Sequence, residues 1–221
     1  NMGATAIGTS INAPVGYKEA VIKHLREITG LDLKTAGDLV ESTSDTDVFI
    51  TFSGALKRSA LKMSKIANDL RLLSSGPQAG IGEINLPARQ AGSSIMPGKV
   101  NPVIPEAVSQ VAYSVAGADV TVSMAVEGGQ LQLNAFEPII AHSLFQSITW
   151  LERAAQTFRI NCVNGITANE AHIEDTVDRS VTVITALAPV IGYVAAAKLA
   201  KEALAKNESI ADLVVEHGLL E

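Results

Sequence analysis

IAHSLFQSITWLERAAQTFRINCVNG, Ile140 to Gly165, is the stretch whose reading decides the fold. Ile140, Leu144, Ile148, Leu151, Ala155, Phe158 and Cys162 recur at four-and-three spacing, which puts them on one stripe of a helix that Asn164-Gly165 closes. Two other stretches keep the same period. Phe52, Leu56, Ala60, Met63, Ile66, Leu70 and Leu73 form one, ending at Ser74-Ser75-Gly76-Pro77. Ile104, Val108, Val111, Val115, Ala118 and Val122 form the other, with prolines at its start and Gly128-Gly129 after its end. Each covers more than about twenty residues, so each helix is about 30–40 Å long. No alternating strand pattern competes with them. The expectation is an all-α fold, a long-helix bundle in which Ala, Val and Ile permit close approach.

Outward from these helices the signals weaken. Residues 1–15 hold glycine, proline and hydroxyl side chains without a charge and read as a loop. Gly16 to Thr29 is a short amphipathic helix, with Ala20, Ile22 and Leu25 on one side and Gly30 as its stop. Leu31 to Asp45 is a polar connection. Downstream, Val181 to Ala197 carries no charge, so a membrane span has to be weighed. Pro189, Gly192 and several alanines make it weakly apolar, and a helix buried at the centre of a large bundle is the better reading.

Composition narrows the classes. Of 221 residues 47% are hydrophobic, too many for a disordered chain. The net charge of −6 argues against a nucleic-acid surface. The lone cysteine, Cys162, cannot form a disulfide within the chain and favours a reducing, cytoplasmic setting. It occupies a core stripe position, as a structural rather than nucleophilic cysteine does. His24, His142, His172 and His217 lie far apart with no second ligand at helical spacing, so no metal is expected. Gln130, Gln132 and Asn134 read as buried polar groups at a subunit contact and receive no catalytic role.

The chemistry lies between the first two long helices. Gly76 to Pro87 and Gly92-Ser-Ser-Ile-Met-Pro-Gly-Lys-Val-Asn-Pro102 are rich in glycine and proline, and together they are long for a connection. Gly92 to Lys99 imitates a phosphate loop but has the wrong glycine spacing, Val100 in place of Ser or Thr, and no preceding strand. Gly80-Ile-Gly82 lacks the third glycine of a dinucleotide fingerprint. What remains is a hydroxyl pair, Ser93 and Ser94, then Lys99 and Asn101, running into a helix N-terminus. That set suits a carboxylate or another small anion. The alternative is a glycine-rich turn in which Ser93 or Ser94 satisfies backbone groups and Lys99 lies in solvent.

Gly92 to Pro102 matches every defined position of the signature Gly-Ser-Ser-x-Met-Pro-x-Lys-x-Asn-Pro and so resembles the aspartase/fumarase superfamily. Further stretches place the resemblance on its aspartase branch: Gly3-Ala-Thr-Ala-Ile-Gly-Thr9, Asp38-Leu-Val-Glu-Ser-Thr-Ser-Asp45, Asn68-Asp-Leu-Arg-Leu-Leu-Ser-Ser-Gly-Pro77, Glu83-Ile-Asn-Leu-Pro87 and Asn164-Gly-Ile-Thr-Ala-Asn169. Fumarate hydratases typically carry Gly-Asn-x-Glu-Leu-Asn where Gln130 and Gln132 stand here.

The resemblance implies a lyase that converts L-aspartate to fumarate and ammonia without a cofactor. It makes Ser93 the general base, with Lys99 and Asn101 binding substrate carboxylates and Met96 lining the pocket. Ser94 and Glu106 would support them, Glu106 by holding a histidine on a segment that precedes Asn1 in relatives. It implies a homotetramer with sites shared between subunits. It also implies an incomplete chain. Residues 1–165 would be a central bundle domain short of its N-terminal side, with a flexible catalytic loop at about 88–102. Residues 166–221 would end the bundle and begin a small C-terminal helical domain. A fumarate hydratase, another fumarate-releasing lyase and a non-enzymatic helical assembly module are the alternatives.

Overall fold

A computed structural model of the chain describes residues 1–76, 79–92, 95–96, 98–178, 180–206 and 208–219. It divides into two units, Asn1–Asp69 with Ala88–Asn164, and Leu70–Pro87 with Gly165–Glu221. The first holds α1 (Tyr17–Thr29), a short α2 (Glu41–Ser44), most of α3 (Val48–Leu73), α4 (Val103–Glu127) and α5 (Glu137–Asn161). The expected all-α class and the three long helices are therefore present. Gly30 ends α1 in the left-handed conformation, φ 70°, and its N–H reaches Arg26 O at 2.9 Å. The polar connection contains α2, which the sequence reading missed. Asp38 starts it by accepting from the N–H groups of Val40 at 2.8 Å and Glu41 at 3.1 Å.

Helix α4 is the middle of this unit. It packs along α5. Val122 and Ala125 of α4 form one cluster with Ile140 and Leu144 of α5, and Ala60 of α3 forms another with Ala112 and Val115 of α4. Val108, Val115 and Val122 of the expected α4 stripe and Ile140, Leu144, Phe158 and Cys162 of the α5 stripe are buried, whereas Ile148 and Ala155 are exposed. On α3 only Ala60 of the expected stripe is fully buried: Ser53, Ser64 and Ala67 are buried beside it, Leu56 is half-buried against the clusters, and Phe52 and Ile66 are exposed. Small side chains at that seam let the contact form.

Polar groups fix the register of the seam. Ser53 donates to Asp119 Oδ1 at 2.8 Å, and the Lys57 ammonium pairs with the other oxygen of the same buried carboxylate. Ser64 donates to Ser109 Oγ at 3.2 Å. Burial pushes the Asp119 carboxyl up, but the hydrogen bonds from Lys57 and Ser53 and the Lys57 charge outweigh it and hold it below the ordinary aspartate value. Asn134 pins the α4–α5 connection. Its amide donates to Ala125 O at 3.0 Å, Val126 O at 3.2 Å and Thr46 Oγ1 at 3.1 Å, and its oxygen accepts from Phe136 N at 2.7 Å. Asn134 is thus buried inside its own chain, whereas Gln130 and Gln132 are exposed. In the N-terminal loop Gly8 lies against the backbone of residues 39–40, where an added Cβ would fall 2.2 Å from Leu39 O.

The second unit departs further from expectation. A two-residue antiparallel ladder joins β1 (Ile84–Asn85) to β2 (Thr167–Ala168), a feature too short for an alternating pattern to reveal. It is followed by α6 (Glu170–Asp178), a 3-10 turn at Val181–Val183, α7 (Ile184–Ile191), α8 (Tyr193–Lys206) and α9 (Ile210–Glu216). The single buried helix expected over Val181 to Ala197 is instead broken. Gly192 sits at φ 83° and its N–H closes α7 on Ala188 O, and within that range only Ala196 is buried in this chain. Leu199, Ala203, Ile210, Leu213 and Val214 make the core here. Among the described residues no helix is long and apolar enough to cross a membrane.

Asp119 provides a test of the seam. Asp119→Asn should lower stability by about 1–3 kcal/mol at pH 7, since it leaves the Lys57 charge without its partner. The folded carboxyl titrates below the unfolded one, so its contribution is fully present above the unfolded aspartate pKa of about 3.9 and is lost as pH falls through the lower folded value. Denaturant unfolding should therefore show the gap between wild type and variant closing below about pH 4. A gap constant down to that range would exclude Asp119 as the titrating group.

Candidate functional site

Ala88 to Glu106 carries two cations, Arg89 and Lys99, and one carboxylate, Glu106, in a chain that is otherwise acidic. Its entry is tied to the end of α5. Arg89 Nε donates to Asn161 O at 3.0 Å and Nη2 to Ile160 O at 3.5 Å, so a guanidinium meets last-turn carbonyls that have no partner within the helix. Three residues on, the backbone of Gly92 touches that of Lys99, and a Cβ at Gly92 would lie 1.9 Å from Lys99 O. No other residue type fits there. Gly98 is left-handed at φ 82°, and the Lys99 N–H turns back to Met96 O at 3.3 Å.

The exit is tied to α4. Val103 N–H donates to Asn101 O at 2.8 Å and Glu106 N–H to Pro102 O at 3.1 Å. Pro105 has no N–H, so the start of α4 offers an anion fewer donors than a helix N-terminus normally does. Lys99 and Met96 are exposed, and Asn101 and Glu106 are half-buried. Among the described residues no acidic group pairs with the Lys99 ammonium. The structure thus gathers Met96, Lys99, Asn101 and Glu106 into one backbone-held segment. Ser93 and Ser94, the expected base and its neighbour, lie outside the described residues. Arg89 was not singled out by sequence, because its partners stand 71 and 72 positions away.

The remaining candidates sit elsewhere. His24 pairs with Glu27 at 2.9 Å, His217 with Glu202 at 3.0 Å, and His172 Nε2 lies 2.8 Å from Ile81 O. His142 is exposed. Among the described residues no three His, Cys, Asp or Glu side chains are grouped as a metal would need. Cys162 is buried just past the end of α5, and burial pushes its thiol up.

Comparison with known proteins gives these features a context. A family model described as Lyase matches residues 1–117, and one described as Fumarase C C-terminus matches residues 183–221. The aspartate ammonia-lyase of Pseudomonas canavaninivorans is 56% identical over 221 residues, all of this chain and 47% of that protein. That of Bacillus subtilis is 50% identical over 220 residues, 100% of this chain and 46% of that protein. Among solved structures, the fumarate lyase:delta crystallin of Brucella melitensis bound to cobalt superposes with a TM-score of 0.95 at 54% identity, covering 99% of this chain and 47% of that one. A recombinant class II fumarase of Schistosoma mansoni gives 0.89 at 34% identity, covering 99% and 49%. The chain spans about half the length of the curated relatives it matches.

A buried thiol raised by its surroundings should be unreactive. In the native protein Cys162 should react with an aromatic disulfide reagent at least about 100-fold more slowly than in denaturant. Native labelling as fast as denatured labelling would return Cys162 to the list of nucleophiles.

Proposed function

The chain belongs to the lyase family, and from that premise we propose that it is the central bundle and following part of an aspartate ammonia-lyase converting L-aspartate to fumarate and ammonia. The observation that carries this reading is the complete signature Gly92 to Pro102, set in a chain 50% and 56% identical along its length to two aspartate ammonia-lyases.

In this reading Ser93, as the alkoxide, takes the proton from the carbon β to the amino group. The electron pair passes into the adjacent carboxylate, which then carries a second negative charge. That pair returns to form the carbon–carbon double bond as the carbon–nitrogen bond breaks and ammonia leaves. Lys99 and Asn101 hold the carboxylates. Fixed positive charge and N–H donors there stabilise the doubly charged intermediate more than the substrate, which is where rate is gained. Met96 lines the pocket, and Ser94 and Glu106 support it, Glu106 by holding a histidine from another segment. No cofactor takes part. The exposure of Lys99 leaves its ammonium available to a ligand.

The reading also assigns a homotetramer with shared sites, in the cytoplasm. Large apolar side chains support the assembly: Tyr113, Met124, Phe145 and Trp150 are exposed on α4 and α5, and Trp150 lines an open groove of about 460 Å³ with Val111 and Arg153. Other copies of the chain would cover them. Residues 1–165 then serve as the bundle domain with its loop at about 88–102, and 166–221 lead into the C-terminal domain.

Ultraviolet absorbance of fumarate tests the reaction. The full-length protein should release fumarate from L-aspartate and not from malate, and activity on malate alone would make it a hydratase. Ser93→Ala should lower kcat by about 10²–10⁴-fold, the usual weight of a general base. Unchanged turnover would remove Ser93 from that role. The 221-residue chain expressed alone should be inactive, and turnover by it in a host lacking the parent enzyme would show the site to be complete within it.

A further inference from the structure

We propose that Arg89 is a positioning residue that sets where Lys99 stands, and so tunes substrate binding; this rests on the reading of Lys99 as a carboxylate ligand. The chain of contacts is short. The guanidinium spans two successive carbonyls at the end of α5, Asn161 O at 3.0 Å and Ile160 O at 3.5 Å. A planar fork of donors can address both, and a lysine ammonium on a flexible stem cannot reproduce that arrangement. From Arg89 it is three residues to Gly92, whose backbone meets Lys99 so closely that a Cβ would lie 1.9 Å from the Lys99 oxygen. The contact is backbone to backbone, so a shift at Arg89 is passed to Lys99 without a flexible side chain in between. On the far side Asn101 is tied to α4 through the Val103 N–H. Since α4 packs along α5, the two anion-binding residues are referred to one helical pair from both directions.

Two observations separate this from an ordinary helix cap. Arg89 is exposed, so removing it opens no cavity in the core. Among the described residues the Lys99 ammonium has no acidic partner to hold it, so its backbone must place it. A cation that holds a carboxylate whose charge grows in the transition state acts on kcat as well as on substrate binding, so displacing it lowers kcat/KM.

The test uses the full-length protein with Arg89→Ala and Arg89→Lys. Arg89→Ala should lower kcat/KM for aspartate by about 10-fold to 100-fold, with a fall in kcat and the melting temperature nearly unchanged. Arg89→Lys should recover part of that loss. Digestion with a lysine-specific endoprotease, followed by mass spectrometry, supplies a readout that needs no substrate. Cleavage after Lys99 should accelerate several-fold in Arg89→Ala while cleavage after other lysines keeps its rate. An unchanged kcat/KM together with unchanged cleavage after Lys99 would overturn the proposal, as would acceleration at every lysine alike, which marks general loosening. If the unsubstituted protein released no fumarate, the functional reading would fall. The cleavage rates would still decide whether Arg89 holds the segment.

Discussion

The packing of α4 against α5 is the contact from which the first unit takes its positions. It buries Val122, Ala125, Ile140 and Leu144 together, and α3 joins it through Ala60, Ser53 and Ser64. Small residues dominate that second seam. Enlarging one would force off-rotamer side chains or backbone shifts at a cost of about 1–3 kcal/mol. The same seam carries a carboxylate, Asp119, that tolerates burial because Ser53 and Lys57 both serve it. The signature segment begins at one end of this pair and finishes at the start of α4, so its backbone is referred to rigid elements on both sides.

At the seam of α3 with α4 the apolar residues are sorted by size. Small ones are buried there, while many large ones on the three long helices, such as Phe52, Ile66, Tyr113, Met124 and Phe145, stay exposed. So many exposed side chains of that size on three helices suit surfaces covered by a partner. The proposed tetramer gives them a use.

This sorting also explains what could be read from the sequence. The long helices were legible because a four-and-three period over more than about twenty residues has no competing interpretation. The buried face of α3 was not: a pattern of large hydrophobes marks a face that will be covered, without saying whether its own chain or another covers it. The break at Gly192 was a matter of one backbone angle inside an uncharged run, and the β1–β2 ladder was two residues long. At the candidate site, Met96, Lys99, Asn101 and Glu106 could be nominated because the signature, and the helix turn after it, are contiguous in sequence. Arg89 and the Gly92–Lys99 contact were hidden. The first reaches across 71 positions, and the second is a property of backbone geometry that the letter G alone does not disclose.

The β1–β2 ladder orders events in time. Ile84 pairs with Ala168 and Asn85 with Thr167, and the Asn85 and Asn169 side chains bond beside them. Closing that ladder encloses the whole of α4 and α5 in one sequence loop, whereas the α4–α5 hairpin needs only a short connection pinned by Asn134. Loop-closure entropy favours the hairpin and penalises the ladder until something has shortened the distance between its strands. A nascent chain should accordingly form the helical hairpin early and join its two short strands late, so that the second unit becomes whole only after the frame carrying the signature segment exists.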